Sequence, residues 1–332
     1  LDFTTLFAFD LTHSHEDIYY SKKTLEGMDT TGEAVGYSHR GDANYMSWQN
    51  VNRLNFSRRF GRHSVSALAV LELYSHTNKY LNASAQGFMT DNIKEISYAD
   101  KSTVLASSGT DPDRRLSMIG RASYSYDSRY YISANYRRDG SNFGKYARWA
   151  NFWSVGASWN IHKEAFFDSG LVRMLKLKAS YGIDGNSRLD TSVAKGSYLY
   201  SDSFSYGKLS GATISSVPNP GLSWETTAKF NVGARIELKD ILDFEIEYYN
   251  NTTNNLLSSV YVSRAVSADK VYANIGSVRN QGVEIDLRTT NIRRGDFTWY
   301  STLNMAHNRN RILELYNDML TSYGEYANKA GY

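Results

Sequence analysis

Cysteine is absent from this 332-residue sequence, which excludes a disulfide framework, a thiolate metal site and a cysteine nucleophile. The redox compartment is therefore left open. Proline is scarce, with three residues in the whole chain. No run approaches the roughly 18 consecutive apolar residues that a membrane-spanning helix requires, so a helical membrane protein is excluded. An excess of one charge is lacking too: Lys and Arg total 37 against 34 Asp and Glu, a formal balance of +3. That fits neither the basic face of a nucleic-acid binder nor a solvating, disordered acidic chain. The N-terminus, Leu1-Asp2-Phe3-Thr4, has no charged segment, apolar core or small-residue cleavage site of a leader. Any targeting segment is expected to lie upstream or to have been removed.

What the chain does have is aromatic side chains, 26 Tyr, 14 Phe and 6 Trp, a composition that favours pleated strands over helices. It also has apolar-polar alternation of period two. In Phe230-Asn231-Val232-Gly233-Ala234-Arg235-Ile236-Glu237-Leu238, Phe, Val, Ala, Ile and Leu take one parity and Asn, Gly, Arg and Glu the other. The same pattern recurs over Leu175–Ile183, Val283–Arg288, Ile132–Arg137 and Phe244–Tyr248. Strands are predicted near 2–10, 51–60, 64–76, 116–126, 129–138, 152–161, 174–183, 226–238, 242–251, 282–290 and 296–308, eleven in all and mostly 9 to 13 residues long. Globular strands average about 5–6 residues, whereas a tilted strand crossing a bilayer needs about 9–11.

The links between these segments alternate. Gly61-Arg62-His63, Asp127-Ser128, Lys239-Asp240-Ile241 and Asn291–Gly295 read as tight turns, while 11–50, 77–115, 139–151, 184–225 and 252–281 read as long polar loops. The link at 162–173 breaks the pattern, running about a dozen residues where a tight turn is expected. Short turns at one rim and long loops at the other characterise a transmembrane antiparallel β-barrel. Unpaired backbone groups cost several kcal/mol each in hydrocarbon, so spanning strands must close on one another. Eleven is odd where bacterial barrels are even, and the polar ending Asn328-Lys329-Ala330-Gly331-Tyr332 is no closing strand. Residues 1–332 are accordingly expected to form part of one larger barrel domain, with the closing strand outside this chain.

On that reading the apolar parity meets lipid. Arg235, Glu237, Glu245, Glu247, Glu284, Asp286 and Arg288, with Lys176 and Lys178, face a wet lumen. In a soluble β-rich binding module the same alternation would bury the apolar face in a core. Aromatic residues near strand ends, among them Tyr124, Tyr126, Tyr130, Tyr131, Trp149, Phe152, Trp153, Trp224, Phe297, Trp299 and Tyr300, fit girdles at the two membrane interfaces. His13-Ser14-His15-Glu16-Asp17 has metal-ligating residue types but no matching third motif, and it reads as the start of a hydrophilic loop. Asp184-Gly185-Asn186 and Asp111-Pro112-Asp113 read as turns, with calcium the minor alternative. No cofactor is otherwise expected. No nucleophile elbow, phosphate loop or dinucleotide fingerprint is present, and the expected function is not enzymatic. An outer-membrane protease is the enzymatic alternative.

Four stretches carry a family resemblance. Arg137-Arg138-Asp139-Gly140-Ser141, Phe143-Gly144 and a basic-aromatic loop lead into a strand ending at Trp159. Pro218–Thr227 (PNPGLSWETT), Asn274–Glu284 (NIGSVRNQGVE) and Asp296–Trp299 (DFTW) follow in the same order and spacing. Together they resemble the SusC/RagA family of TonB-dependent outer-membrane transporters of Bacteroidota, over most of 115–310. The resemblance implies the C-terminal-half portion of a barrel of about 22 strands. It also implies a plug domain and TonB-contacting segment N-terminal to this chain, and a SusD-like surface lipoprotein as lid. The implied solute is an oligosaccharide or peptide, the implied surroundings are lipid bilayer and lipopolysaccharide, and no nucleic acid is involved. Trp48, Tyr198, Tyr200 and Tyr206 in the long loops are candidate solute or lid contacts. A passive porin or a barrel adhesin shares every periodicity argument and stands as the alternative.

Overall fold

The computed structural model describes residues 1–141, 148–186, 196–206, 209–261 and 270–314. Their regular structure is almost wholly β. In chain order the strands are β1 (Asp2–Tyr20), β2 (Tyr37–Phe60), β3 (His63–Gln86), β4 (Leu105–Tyr126), β5 (Tyr130–Ser141), β6 (Trp149–Asn160), β7 (Val172–Asn186) and β8 (Ser197–Tyr206). There follow β9 (Leu209–Ser216), β10 (Glu225–Leu238), β11 (Leu242–Asn254), β12 (Leu257–Tyr261), β13 (Lys270–Asn274), β14 (Ser277–Arg294) and β15 (Phe297–Glu314). No α-helix occurs among the described residues, only single 3₁₀ turns.

Eleven strands make one sheet in the order β1-β2-β3-β4-β5-β6-β7-β10-β11-β14-β15, and β8-β9 and β12-β13 are separate two-stranded hairpins. Where the register is described, every neighbouring pair is antiparallel. The eleven strands of the sheet coincide one for one with the segments of period-two alternation. Contacts divide the chain into two compact units: Leu1–Thr4, Arg53–Leu71 and everything from Ser117 onward form one, and Thr5–Asn52 with Glu72–Leu116 form the other.

Several expectations are corrected. The stretches 11–50 and 77–115 are largely strand, because β1 continues to Tyr20, β2 starts at Tyr37, and β3 and β4 reach Gln86 and Leu105. At 24 residues each, β2 and β3 are more than twice the length a bilayer needs. Their polar ends are wet on both faces, so no alternation betrays them. Consequently His13–Asp17 and Asp111–Asp113 lie within strands β1 and β4, and Asp184–Asn186 ends strand β7, rather than forming loops or turns. Likewise Asn291 lies inside β14, and the tight link is Gly295-Asp296.

The turns at the short rim follow from local chemistry. Asp127 and Ser128 both have positive φ, 49° and 55°, the backbone of a type I′ hairpin whose twist matches its strands. Gly61 and Gly295 take φ of 57° and 59° at equivalent places.

Side-chain burial separates this sheet from a soluble sandwich. The described residues bury only Ala85, Phe88, Ala99, Phe152 and Leu222 among their apolar side chains. Phe3, Phe7, Phe9 and Leu11 of β1 stand exposed, as do Leu54, Phe56 and Phe60 of β2 and Leu303 and Met305 of β15. Val232 is 42% exposed, and Ile236, Ile285 and Leu287 are only half-buried. A water-soluble chain of this length would enclose a core and leave no such continuous apolar face.

Candidate functional site

The pairing register brings the charged residues of one parity side by side. Arg235 stands opposite Glu245, Gly233 opposite Glu247, and Arg235 opposite Lys176 on the other side. Further along, Glu245 faces Asp286, Glu247 faces Glu284 and Asp243 faces Arg288. Lys178 Nζ reaches Glu245 at 2.6 Å and Glu247 at 2.5 Å. The Arg235 guanidinium grips Asp243 through Nε (2.9 Å) and Nη2 (2.8 Å), and Nη2 also lies 2.8 Å from Glu237. Opposed carboxylates repel across a ladder, and these two cations offset that repulsion. The register therefore puts the seven residues expected to line a lumen on one parity of the sheet, with Lys178 and Arg235 countering part of its negative charge. Above it the face turns neutral: Ser133, Gly156, Ser180 and Asn231 are successive register partners. A cleft of about 420 Å³ opens there, lined by Ser66, Ser123, Ser133, Ser158 and Ser180 among others.

On the opposite parity, aromatic rings mark the short rim. Phe60 stacks on His63 at 5.3 Å, His63 contacts Tyr126 at 5.0 Å, Tyr126 lies 6.4 Å from Tyr130, and Tyr130 stacks on Trp159 at 6.3 Å. Such a row is what an interface between headgroups and acyl chains selects. Further toward the other rim Trp153 pairs with Tyr136 across the ladder and contacts Tyr181 at 5.7 Å. Phe152 departs from the girdle expectation. It lies on the wet parity, buried against Trp224 at 5.6 Å, in the room left by Gly185, where a Cβ would strike its ring. Tyr300 also turns away from a girdle role and sits under the Arg288 guanidinium at 5.6 Å.

Glu164, in the irregular link after β6, escaped sequence reasoning. Its buried carboxylate accepts from Trp159 Nε1 (2.9 Å) and Arg129 (3.3 Å). A bond from the Tyr130 hydroxyl, then that from Trp159 and the Arg129 charge, hold its pKa below the usual carboxylate range. The link is thereby pinned beneath the aromatic row.

At the long-loop rim of the same unit, two motif stretches clamp each other. Asn274 Nδ2 donates to the carbonyls of Ser223 (2.8 Å) and Asn255 (2.9 Å), and its Oδ1 accepts from Ser223 N at 2.7 Å. Asn219 Nδ2 donates to Tyr272 O at 2.7 Å, Glu225 accepts from Leu257 N at 2.7 Å, and Leu222 is wholly buried. These residues fasten the feet of hairpins β8-β9 and β12-β13. Only the contacts between 218–227 and 274–284 reveal that role.

In the other unit, the loop after β3 is fastened by Asp91. It accepts from Tyr19 Oη (2.9 Å), Ser21 Oγ (2.9 Å) and Lys22 N (3.0 Å). The Lys22 N–H, followed by the Ser21 and Tyr19 hydroxyls, lowers its pKa. Phe88, Ala85 and Ala99 form a small core beside it, with Tyr19 edge-on to Phe88 at 5.3 Å.

None of the candidate contact residues sits in a loop. Trp48 is inside β2 at the parity of Met46, Leu54 and Phe56, and Tyr198 is an exposed residue of β8. Tyr200 and Tyr206 also belong to β8, with side chains outside the described residues. His13 and His15 bond along β1 and to β2: His13 to Asn44 at 2.9 Å, His15 to Asp17 at 3.1 Å and to Asp42 at 3.4 Å. Among the described residues no set of three or more His, Asp or Glu is arranged to hold a metal.

A sheet of long antiparallel strands, apolar outward on one parity and ionically compensated on the other, with aromatic rims and almost no core, is the wall of a transmembrane β-barrel. The chain belongs to the TonB dependent receptor-like β-barrel family, whose profile matches residues 1–329, and is thus an outer-membrane protein. TonB-dependent receptor P39 of Formosa agariphila is 35% identical over 279 residues, covering 82% of this chain and 26% of its own length. TonB-dependent receptor SusC of Bacteroides thetaiotaomicron is 32% identical over 212 residues, 60% of this chain and 21% of its own. Among solved structures, the RagAB peptide importer in its closed-closed state superposes with a TM-score of 0.84 at 26% identity, over 96% of this chain and 35% of that one. The chain therefore spans about a third or less of the lengths of these relatives.

Proposed function

We propose that this chain is wall and rim of a SusC-like, TonB-dependent importer carrying oligosaccharides or peptides across the outer membrane under a SusD-like lipoprotein lid. The observation that carries this reading is the ionic patch of Lys178, Arg235, Glu245 and Glu247 on the wet parity, opposite a lipid-facing apolar parity. A wall whose charges are neutralised in place holds a passing polar solute weakly, which lets it leave again. The likeness to SusC and to a peptide importer supports the same reading. The test is uptake of labelled oligosaccharides and peptides by cells carrying the full-length protein. Uptake is expected to stop when the inner-membrane gradient is collapsed and to fall when the lid lipoprotein is deleted. Uptake that survives both treatments, or liposome swelling with the purified protein alone, would point instead to a passive porin.

A further inference from the structure

On the wet parity of the unit formed by Thr5–Asn52 and Glu72–Leu116, a second cleft of about 540 Å³ lies at the polar ends of β1–β4. Cross-strand bonds Thr5–Asn52 (2.9 Å), His13–Asn44 (2.9 Å) and Asp17–Arg40 (2.9 Å) keep one register along β1 and β2. That register puts Phe7, Phe9 and Leu11 with Met46 and Leu54 on the outer face. Glu16 and Tyr45 fall on the opposite face. The Gln49–Glu72 bond brings the even positions of β3 to that same side, which supplies Asn78, Tyr80 and Asn82.

Three features show that the cleft is built rather than incidental. Tyr80 sits against Gly109, where a Cβ would come within 2.6 Å of its ring, and the side chain remains 40% exposed. The Asn82 amide oxygen rests against Gly41, 3.1 Å from where a Cβ would stand. Asn78 Oδ1 is buried with no hydrogen-bond partner, a costly state that turning the amide toward a hydroxyl in the cleft would relieve.

We infer that this cleft is a binding subsite for one sugar ring of a neutral oligosaccharide, with Tyr80 as the stacking platform and Asn78, Asn82 and Glu16 as hydroxyl partners. The inference rests on the import reading and deepens it. A pyranose offers an apolar C–H face to an aromatic ring and hydroxyls on its rim that donate and accept at once, and side-chain amides and carboxylates answer such hydroxyls in pairs. A peptide needs an open strand edge or an apolar pocket for its side chains. Here β2 and β3 are paired on both sides, and the apolar side chains among the lining residues are Tyr45, Tyr80 and the small Ala43, which form no side-chain pocket.

The full-length protein in detergent is titrated calorimetrically with neutral hexasaccharides of glucose, mannose, galactose and xylose, and with a neutral hexapeptide of Ala, Gly and Ser. At least one hexasaccharide is expected to bind, weakened on the order of tenfold by Tyr80→Ala and by Asn78→Ala. Tyr80→Phe keeps the ring and stays within about threefold, which guards against a folding defect as the cause; unchanged heat-modifiable migration of each variant is the second guard. Binding of none of the hexasaccharides, binding indifferent to both alanine variants, or a peptide affinity that the variants abolish instead would overturn the inference. Hexasaccharide uptake that continues after the inner-membrane gradient is collapsed, with the binding losses intact, would sink the import reading and leave this subsite standing.

Discussion

Glu164 shows how one side chain closes a corner of the wall. It gathers the Trp159 N–H, the Arg129 guanidinium and the Tyr130 hydroxyl, and with its pKa depressed it contributes stability that is complete above the ordinary carboxylate pKa near 4.3. That contribution is lost as the pH falls through the lower folded-state value. Glu164→Gln is therefore expected to lower the thermal midpoint at pH 7, and the gap to wild type should narrow as the pH is taken below the ordinary carboxylate value, as melts across a falling pH series would record. Lys178 is the other single residue with leverage, since it holds Glu245 and Glu247 beside Glu284 and Asp286. Lys178→Met should destabilise the protein in urea titrations at low salt, and either high salt or the second change Glu247→Gln should recover part of the loss. That these charged residues share one parity is legible in the sequence, because alternation fixes parity. Glu164 was not, because it lies in a link without period and its partners come from two strands.

At the scale of the element, the lipid-facing strands make a prediction that separates a bilayer from water. Val232 is 42% exposed within the sheet, so in water an arginine there would be nearly neutral. In a membrane, a cation near the midplane costs about 2–4 kcal/mol. Val232→Arg is expected to show that cost in urea unfolding from liposomes, and a change below about 0.5 kcal/mol would contradict the lipid-facing assignment. Strand cores were readable down to their parity because one side meets hydrocarbon and the other water. Strand ends were not: in β1, β2, β3 and β4 the segments beyond the apolar zone are polar on both faces, and the period disappears although the ladder continues. Hairpins β8-β9 and β12-β13 were hidden within stretches expected to be loops for the same reason.

At the scale of the molecule, the sorting of aromatic rings predicts which tryptophans touch acyl chains. Single-tryptophan variants retaining Trp153 or Trp299, both exposed on the apolar side of the wall, should be quenched strongly by brominated lipids in proteoliposomes. A variant retaining Trp224, packed on buried Phe152, should be quenched little. Equal quenching of all three would argue against the two-faced wall. All-β character, the places of the spanning strands and the shared parity of their charged residues can be read from the residues alone, because period two, strand length and alternating link length are local consequences of a bilayer with water on both sides. That Asn274 clamps Ser223, that Asp91 fastens β1 to the loop after β3, and that Tyr80 and Asn78 meet Glu16 in one cleft emerges from the folded sheet instead. Those groups are far apart along the chain, and it is the pairing register, a cooperative property of the whole sheet, that brings them together.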